Sequence, residues 1–315
     1  MFTKEIVATA NGLAAGWGNL GAGITQLLVG TALLPLFQEI FKGTENPEEN
    51  AWRTVCIVPA VCSLFAAVLV YKVSDDTPKG NFSELKKNGS MGEPSAVQSF
   101  RKGFYNVNTW LLFIQYGCCF GAELTMNSAA AAYFHDRYRL TTEEAAAIAS
   151  IFGWMNLFAR GLGGWLSDIM NMKWGMRGRL YSQVILLFGE GALIMIFANS
   201  DSLIEGINIM VFFSMFVQAA EGSTYGIVPY VDPDAIGSVT GLVGAGGNVG
   251  AVAFGMAFRD PDIDERKAFM LMGGATMVSA VATIFIKIDG HRGILFGKEA
   301  EENQSKKRNI VPSAA

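Results

Sequence analysis

Gly12-Leu-Ala-Ala-Gly-Trp-Gly-Asn-Leu-Gly-Ala-Gly23 decides the reading of this chain, because a second copy stands downstream as Gly241-Leu-Val-Gly-Ala-Gly-Gly-Asn-Val-Gly-Ala-Val252. The copies lie 229 positions apart (241 minus 12) and share Gly12/Gly241, Leu13/Leu242, Gly18/Gly247, Asn19/Asn248, Gly21/Gly250 and Ala22/Ala251. Glycines three and four residues apart leave a bare strip along a helix, against which another helix can approach to backbone contact. A strip repeated in two distant segments predicts a fold with an internal pseudo-twofold. Gly16-Trp-Gly18-Asn-Leu-Gly21 also matches the dinucleotide pattern G-x-G-x-x-G, but that fingerprint needs a strand before it and a βαβ unit around it. Here the run from Ile6 to Phe37 is uncharged and long enough to cross a bilayer, which sets an enzyme of the Rossmann type aside.

Composition agrees. Of 315 residues, 51% are hydrophobic and 17% charged, 36 are glycine, and mean hydropathy is +0.31. Soluble domains carry about 25% charge. With a formal charge of -4 and no basic stripe with interleaved aromatics, nothing points to nucleic acid. Cys56, Cys62, Cys118 and Cys119 sit in apolar runs without metal-ligand spacing and read as small packing residues. No cofactor or metal is expected, and no enzyme.

Apolar windows of about 20 residues, the length that spans a hydrocarbon core, predict an all-α membrane protein. Eight such spans fall near 7–37, 53–73, 109–134, 144–167, 180–198, 204–229, 236–258 and 267–288. The polar stretch 74–108 reads as a flexible linker between bundles. The implied organisation is 1–73 as the remnant of an amino-terminal bundle with two spans, 74–108 as a cytoplasmic linker, 109–289 as a six-helix carboxy-terminal bundle, and 290–315 as a cytoplasmic tail. With linker and tail in the cytosol, 16 Lys and Arg lie inside, 7 outside and Arg160 within the membrane, as the positive-inside rule prefers. The sequons at Asn81, Asn88 and Asn303 then stay unglycosylated. Two spans before the linker and six after it make unequal halves. Taken with the 229-residue offset, this predicts that about 120 residues and four helices are missing from the amino end.

Few residues carry chemistry. Arg160, in Gly153-Trp-Met-Asn-Leu-Phe-Ala-Arg-Gly161, is the one basic residue deep inside a span. Such an arginine costs about 2.5–3.5 kcal/mol on insertion scales and is functional by default. Its planar fork suits planar oxyanions. Two readings stand: an anion anchor, or a structural salt bridge to Glu190 or Glu221. Tyr116 and Phe120 share a helix face with Asn127 further along, and could form an aromatic wall for a small planar anion, although packing is the commoner role at that spacing. Glu123 and Glu221 either relay protons or pair with neighbours. Asp168, followed by Lys173, Arg177 and Arg179, reads as helix-end charge or as a cytoplasmic gating loop.

Gly-x-Gly-Asn-Leu-Gly in the first span, Ala219-Ala-Glu-Gly-Ser-Thr-Tyr-Gly-Ile-Val-Pro-Tyr230 and Gly244-Ala-Gly-Gly-Asn-Val-Gly-Ala251 resemble the paired signatures of the nitrate/nitrite porter family of the major facilitator superfamily. Tyr116 to Asn127 and Tyr133-Phe-His-Asp-Arg-Tyr138 resemble its plant and algal high-affinity branch in particular. The resemblance implies a partial major facilitator fold with these spans as helices five to twelve. It implies nitrate or nitrite transport coupled to protons by alternating access, with a carrier of another small anion, a nitrate sensor or an inactive fragment as rivals. It assigns Arg160 to anion binding, Tyr116 and Phe120 to stacking on it, and Asn19, Gly21, Gly247 and Asn248 to two signature helices that slide past each other beside the substrate. Gly163 to Arg179 becomes the conserved loop between helices eight and nine. Val231-Asp-Pro-Asp-Ala-Ile236 departs from the basic turn expected there. Implied partners are nitrate or nitrite, protons, the bilayer and an accessory subunit as a candidate; the implied location is the plasma membrane, with vacuolar or plastid membranes as alternatives.

Overall fold

The computed structural model describes residues 3, 5–77, 79–90 and 95–299. Among them the secondary structure is helical apart from one isolated bridge between Thr77 and Gly80. In order the helices are α1 (Val7–Leu28), continued by a π turn (Val29–Leu33) into α2 (Leu34–Ile40), then α3 (Pro47–Val55), α4 (Ile57–Val73), α5 (Phe82–Lys87) and α6 (Ala96–Tyr105). After these come α7 (Val107–Tyr138), α8 (Thr142–Trp154), α9 (Ala159–Trp174), α10 (Met176–Phe197), α11 (Leu203–Ile227), α12 (Ile236–Arg259) and α13 (Glu265–Ala282).

Among the described residues, seven segments are long and apolar enough to cross a membrane: Val7–Ile40, Pro47–Val73, Thr142–Trp174, Met176–Phe197, Leu203–Tyr230, Pro233–Arg259 and Glu265–Phe285. The eighth expected span is α7. It is long enough at 32 residues, but Gln115, Tyr116, Glu123 and Asn127 dilute its apolar windows, so it falls outside that set. The sequence supplies the helix ends. Thr141 and Glu144 form a reciprocal capping box on α8, Ser202 caps α11, Asp264 caps α13, and Arg139 closes α7 in the left-handed region at φ 55°.

Two expectations need correction. The span near 144–167 is not one helix: a 3-10 turn at Met155–Leu157 and Phe158 at φ -136° separate α8 from α9, two residues before Arg160. Nor is 74–108 wholly a flexible linker. It contains α5 and α6, and Ser99 and Gly103 of α6 lie against Ser238 of α12. Lys102 there donates to Asp234 at 3.0 Å, a contact that raises its pKa. The acidic turn that departs from the family pattern is therefore met by a lysine of α6. Of the three sequons, Asn303 lies outside the described residues.

Two apolar clusters fill the interior. One holds Leu112, Tyr116, Cys119, Leu187, Ile227 and Val243; the other holds Met126, Phe152, Ile194, Phe213, Val217 and Phe269. Buried carboxyl groups stand among these apolar residues: Glu190 on α10 falls along the chain between Leu187 of the first cluster and Ile194 of the second, while Glu123 on α7 follows Ala122 of the second and Glu221 on α11 follows Ala220 of the first.

Glycines set the helix spacing, and in this structure each signature helix lies against a neighbour of its own. On α1, Gly12 and Gly16 face the carbonyls of Arg160 and Asn156, and Gly23 faces Gly153. On α12, Gly246 and Gly250 face Phe113 and Gly117 of α7. Each repeat lies against its own neighbour, because a bare strip is used up by the first backbone that reaches it. Gly164 shows how tight these seams are: a methyl there would fall inside the Ala8 carbonyl and 2.8 Å from Thr9 N. Gly274 on α13 has nothing within 4 Å. Gly164→Ala is expected to lower stability by about 1–3 kcal/mol, whereas Gly274→Ala should raise it by about 0.5–1 kcal/mol. Thermal midpoints in detergent measure both, and equal shifts would contradict the seam.

Candidate functional site

Arg160 stands at the start of α9, just after the break that ends α8, and its side chain is 3% exposed. Its Nη2 donates to the Tyr116 hydroxyl at 2.7 Å, and its Nη1 lies 2.5 Å from Glu221 Oε2. The Nε–H is buried without a hydrogen-bond partner. The guanidinium sits 5.7 Å from the Phe120 ring centre, within cation–π range. Tyr116 and Phe120 stack at 5.1 Å and 22°, and Tyr225 meets Tyr116 edge-on at 5.1 Å and 85°. Arg160 has a carboxylate partner in Glu221, one of the two that the salt-bridge reading named, and it also lines a cavity.

That cavity, of about 630 Å3, is bounded by Asn11, Gly18 and Asn19 of α1, Tyr116 and Phe120 of α7, Arg160, Tyr225, and Ile236 and Thr240 of α12. A smaller space of about 220 Å3 is bounded in part by the same Gly18, Asn19 and Phe120, together with Gly21, Glu123 and Asn127. Glu123 Oε1 accepts from Asn19 at 3.1 Å and from Asn156 at 3.0 Å, and Glu123 also interacts with Glu221. Arg160, Glu221, Glu123 and Asn19 therefore belong to one polar cluster contributed by α9, α11, α7 and α1.

Of the seven residues expected beside the substrate, Asn19, Tyr116, Phe120 and Arg160 line the larger cavity, Gly21 bounds the smaller space, and Gly247 and Asn248 bound neither. Gly247 is buried beneath the Phe120 ring, where a methyl would strike it, so it shapes the wall from behind. Asn248 is exposed, bonds its own helix at Gly244 O and takes no part. The helical period puts residues 247 and 248 about 100° apart. Tyr225 and Asn156 were missed. Each stands four residues from a charged residue that was singled out, Glu221 and Arg160, so the helical period carried the signal.

The charges expected to gate form a second cluster. Asp168 Oδ1 pairs with Arg179 Nη2 at 2.8 Å, both buried, while Oδ2 accepts from Thr9 N at 2.7 Å and the Thr9 hydroxyl at 2.6 Å. Ala8 N adds a longer bond of 3.3 Å. Asp168 thus caps the first turn of α1, whose amide groups have no partner within the helix, and its charge opposes the positive end of that dipole. Arg177 is not part of this latch; it reaches Ile294 O at 3.3 Å and covers Tyr181. Asp168→Asn is expected to leave Arg179 short of a counter-charge and to destabilise by about 3–5 kcal/mol, against about 1 kcal/mol for Thr9→Ala. Equal thermal shifts for the two would contradict the latch.

The helices thus meet around a buried arginine that faces a cavity. The sequence profile of the Major Facilitator Superfamily matches residues 1–255, and the chain belongs to that superfamily. Within it, the chain is similar to high affinity nitrate transporter 2.5 of Arabidopsis thaliana, 35% identical over 96% of this chain and 59% of the relative. It is likewise similar to high-affinity nitrate transporter 2.3 of Oryza sativa subsp. japonica, at 39% over 80% and 48%, and to nitrate transporter 2.2 of Chlamydomonas reinhardtii, at 37% over 91% and 56%. The chain spans about half to three fifths of the length of these relatives.

Proposed function

We propose that this protein moves nitrate, with nitrite as a second substrate, across the plasma membrane by proton-coupled alternating access. The observation that carries the reading is the Arg160 guanidinium beside the stacked Tyr116–Phe120 pair at the wall of a cavity, with an Nε–H unspent. A planar anion fits this arrangement. The fork of donors binds its oxygens in plane, and an aromatic face covers it from one side. The names of the relatives point to the same substrate.

Charge counting supports proton coupling. Arg160 brings one positive charge, while Glu221, Glu123 and a bound nitrate would bring three negative charges to one buried cluster. Like charges at these separations repel strongly in a low-dielectric interior. Protons on both glutamates leave Arg160 and nitrate as a neutral pair, so two protons accompany each anion. Two protons per nitrate also carry net positive charge inward, which a membrane potential favours by about 2.3 kcal/mol per charge per 100 mV. Alternating access would use the Asp168–Arg179–Thr9 latch as the contact that opens when α1 moves relative to α9.

The test is nitrate uptake by cells lacking their own transporters. Arg160→Ala is expected to abolish uptake, and Arg160→Lys to lower it at least about tenfold, since an ammonium loses the bidentate geometry. Unchanged uptake in Arg160→Ala would overturn the anion site. Formate competing as well as nitrite would favour a general small-anion carrier over a nitrate carrier.

A further inference from the structure

Glu190 plays no part in the cage just described. It lies midway along α10 and is 0% exposed. Neither of its carboxyl oxygens has a hydrogen-bond partner, and among the described residues no cation lies within ion-pair distance. Leu186, Leu187 and Ile194 seal it along its own helix. Beside it, α10 and α13 approach to backbone contact, with a methyl on Gly191 coming within 2.5 Å of Gly273 O. The titratable groups that sense it are Cys118 and Cys119 of α7 and Glu221 of α11. On α13 the polar groups beside Cys118 are the Thr276 and Ser279 hydroxyls. Arg160 of α9 is turned away, toward Glu221.

An ionised carboxylate in such a place has lost its hydration and gained neither a cation nor a donor, a combination that buried groups avoid by taking up a proton. A carboxyl with no structural partner is also a poor packing residue, since a leucine would fill the space without loss. Ionisable groups kept at membrane depth mark ion and proton sites. We propose that Glu190 is a proton-binding site inside the carboxy-terminal bundle, separate from the anion cage, occupied in the conformation seen here and emptied only when α10 parts from α7 and α13 far enough to admit water.

This proposal stands whether or not the substrate is nitrate, and its test needs no transport. Infrared absorption of the purified full chain near neutral pH detects protonated carboxyl groups by their C=O stretch, apart from the ionised surface carboxylates. The wild-type chain is expected to show this band, and Glu190→Gln, nearly isosteric and neutral, to lose one carboxyl's share of it. Glu190→Asp should keep that share at a shifted frequency. In Glu221→Gln the Glu190 share should remain. A spectrum unchanged in both Glu190 variants would overturn the proposal, as would a Glu190 share that disappears only in Glu221→Gln.

Discussion

The single positive charge of Arg160, held in a membrane interior beside more than one carboxyl group, is the constraint around which the structure is arranged. A guanidinium there needs a counter-charge, and Glu221 supplies it at 2.5 Å. Glu221 in turn interacts with Glu123, which is held by Asn19 and Asn156. The cluster therefore holds two carboxyl groups to one guanidinium before any anion arrives. An entering anion competes with Glu221 for the same donors, so binding and protonation become two sides of one equilibrium in the proposed mechanism.

Packing serves this cluster. Two apolar clusters, one with Leu112, Leu187 and Val243 and the other with Met126, Ile194 and Phe213, provide the buried surroundings of these carboxyl groups. The glycine seams bring α1 to α9 and α12 to α7 at backbone contact, which leaves no slack for a side chain to shift without moving a helix. At the start of α1, one carboxylate does two jobs. Asp168 neutralises Arg179 and caps α1, so separating the helices exposes both an arginine and a helix terminus together.

Sequence reasoning reached far in this chain because membrane physics leaves few options. Uncharged runs long enough to cross a bilayer are helices, and Arg160, isolated among them, was conspicuous before any geometry was known. Tyr116 and Phe120, four residues apart, had to share a face. Tertiary choices were not legible. Which glycine strip meets which partner depends on helices far apart in sequence, so the repeat suggested a pseudo-twofold without naming the neighbour that each strip meets. The break at Met155–Phe158 carries neither proline nor a polar run to announce it. Arg177 and Arg179 are equivalent by composition, and only their helical angle separates the buried latch residue from its neighbour at Ile294. Glu190 was noticed as a possible partner for Arg160, whereas its unpartnered burial is visible only in three dimensions.

The central claim is that protons and the anion share the Arg160–Glu221–Glu123 cluster. Calorimetric titration of nitrate into the purified protein across a pH series, for the wild type and for Glu221→Gln, tests it most directly. The account predicts that wild-type affinity falls as pH rises with the dependence of two protons, and that Glu221→Gln retains binding with the dependence of one. Identical pH dependence in the two proteins, or affinity that does not vary with pH in the wild type, would contradict it.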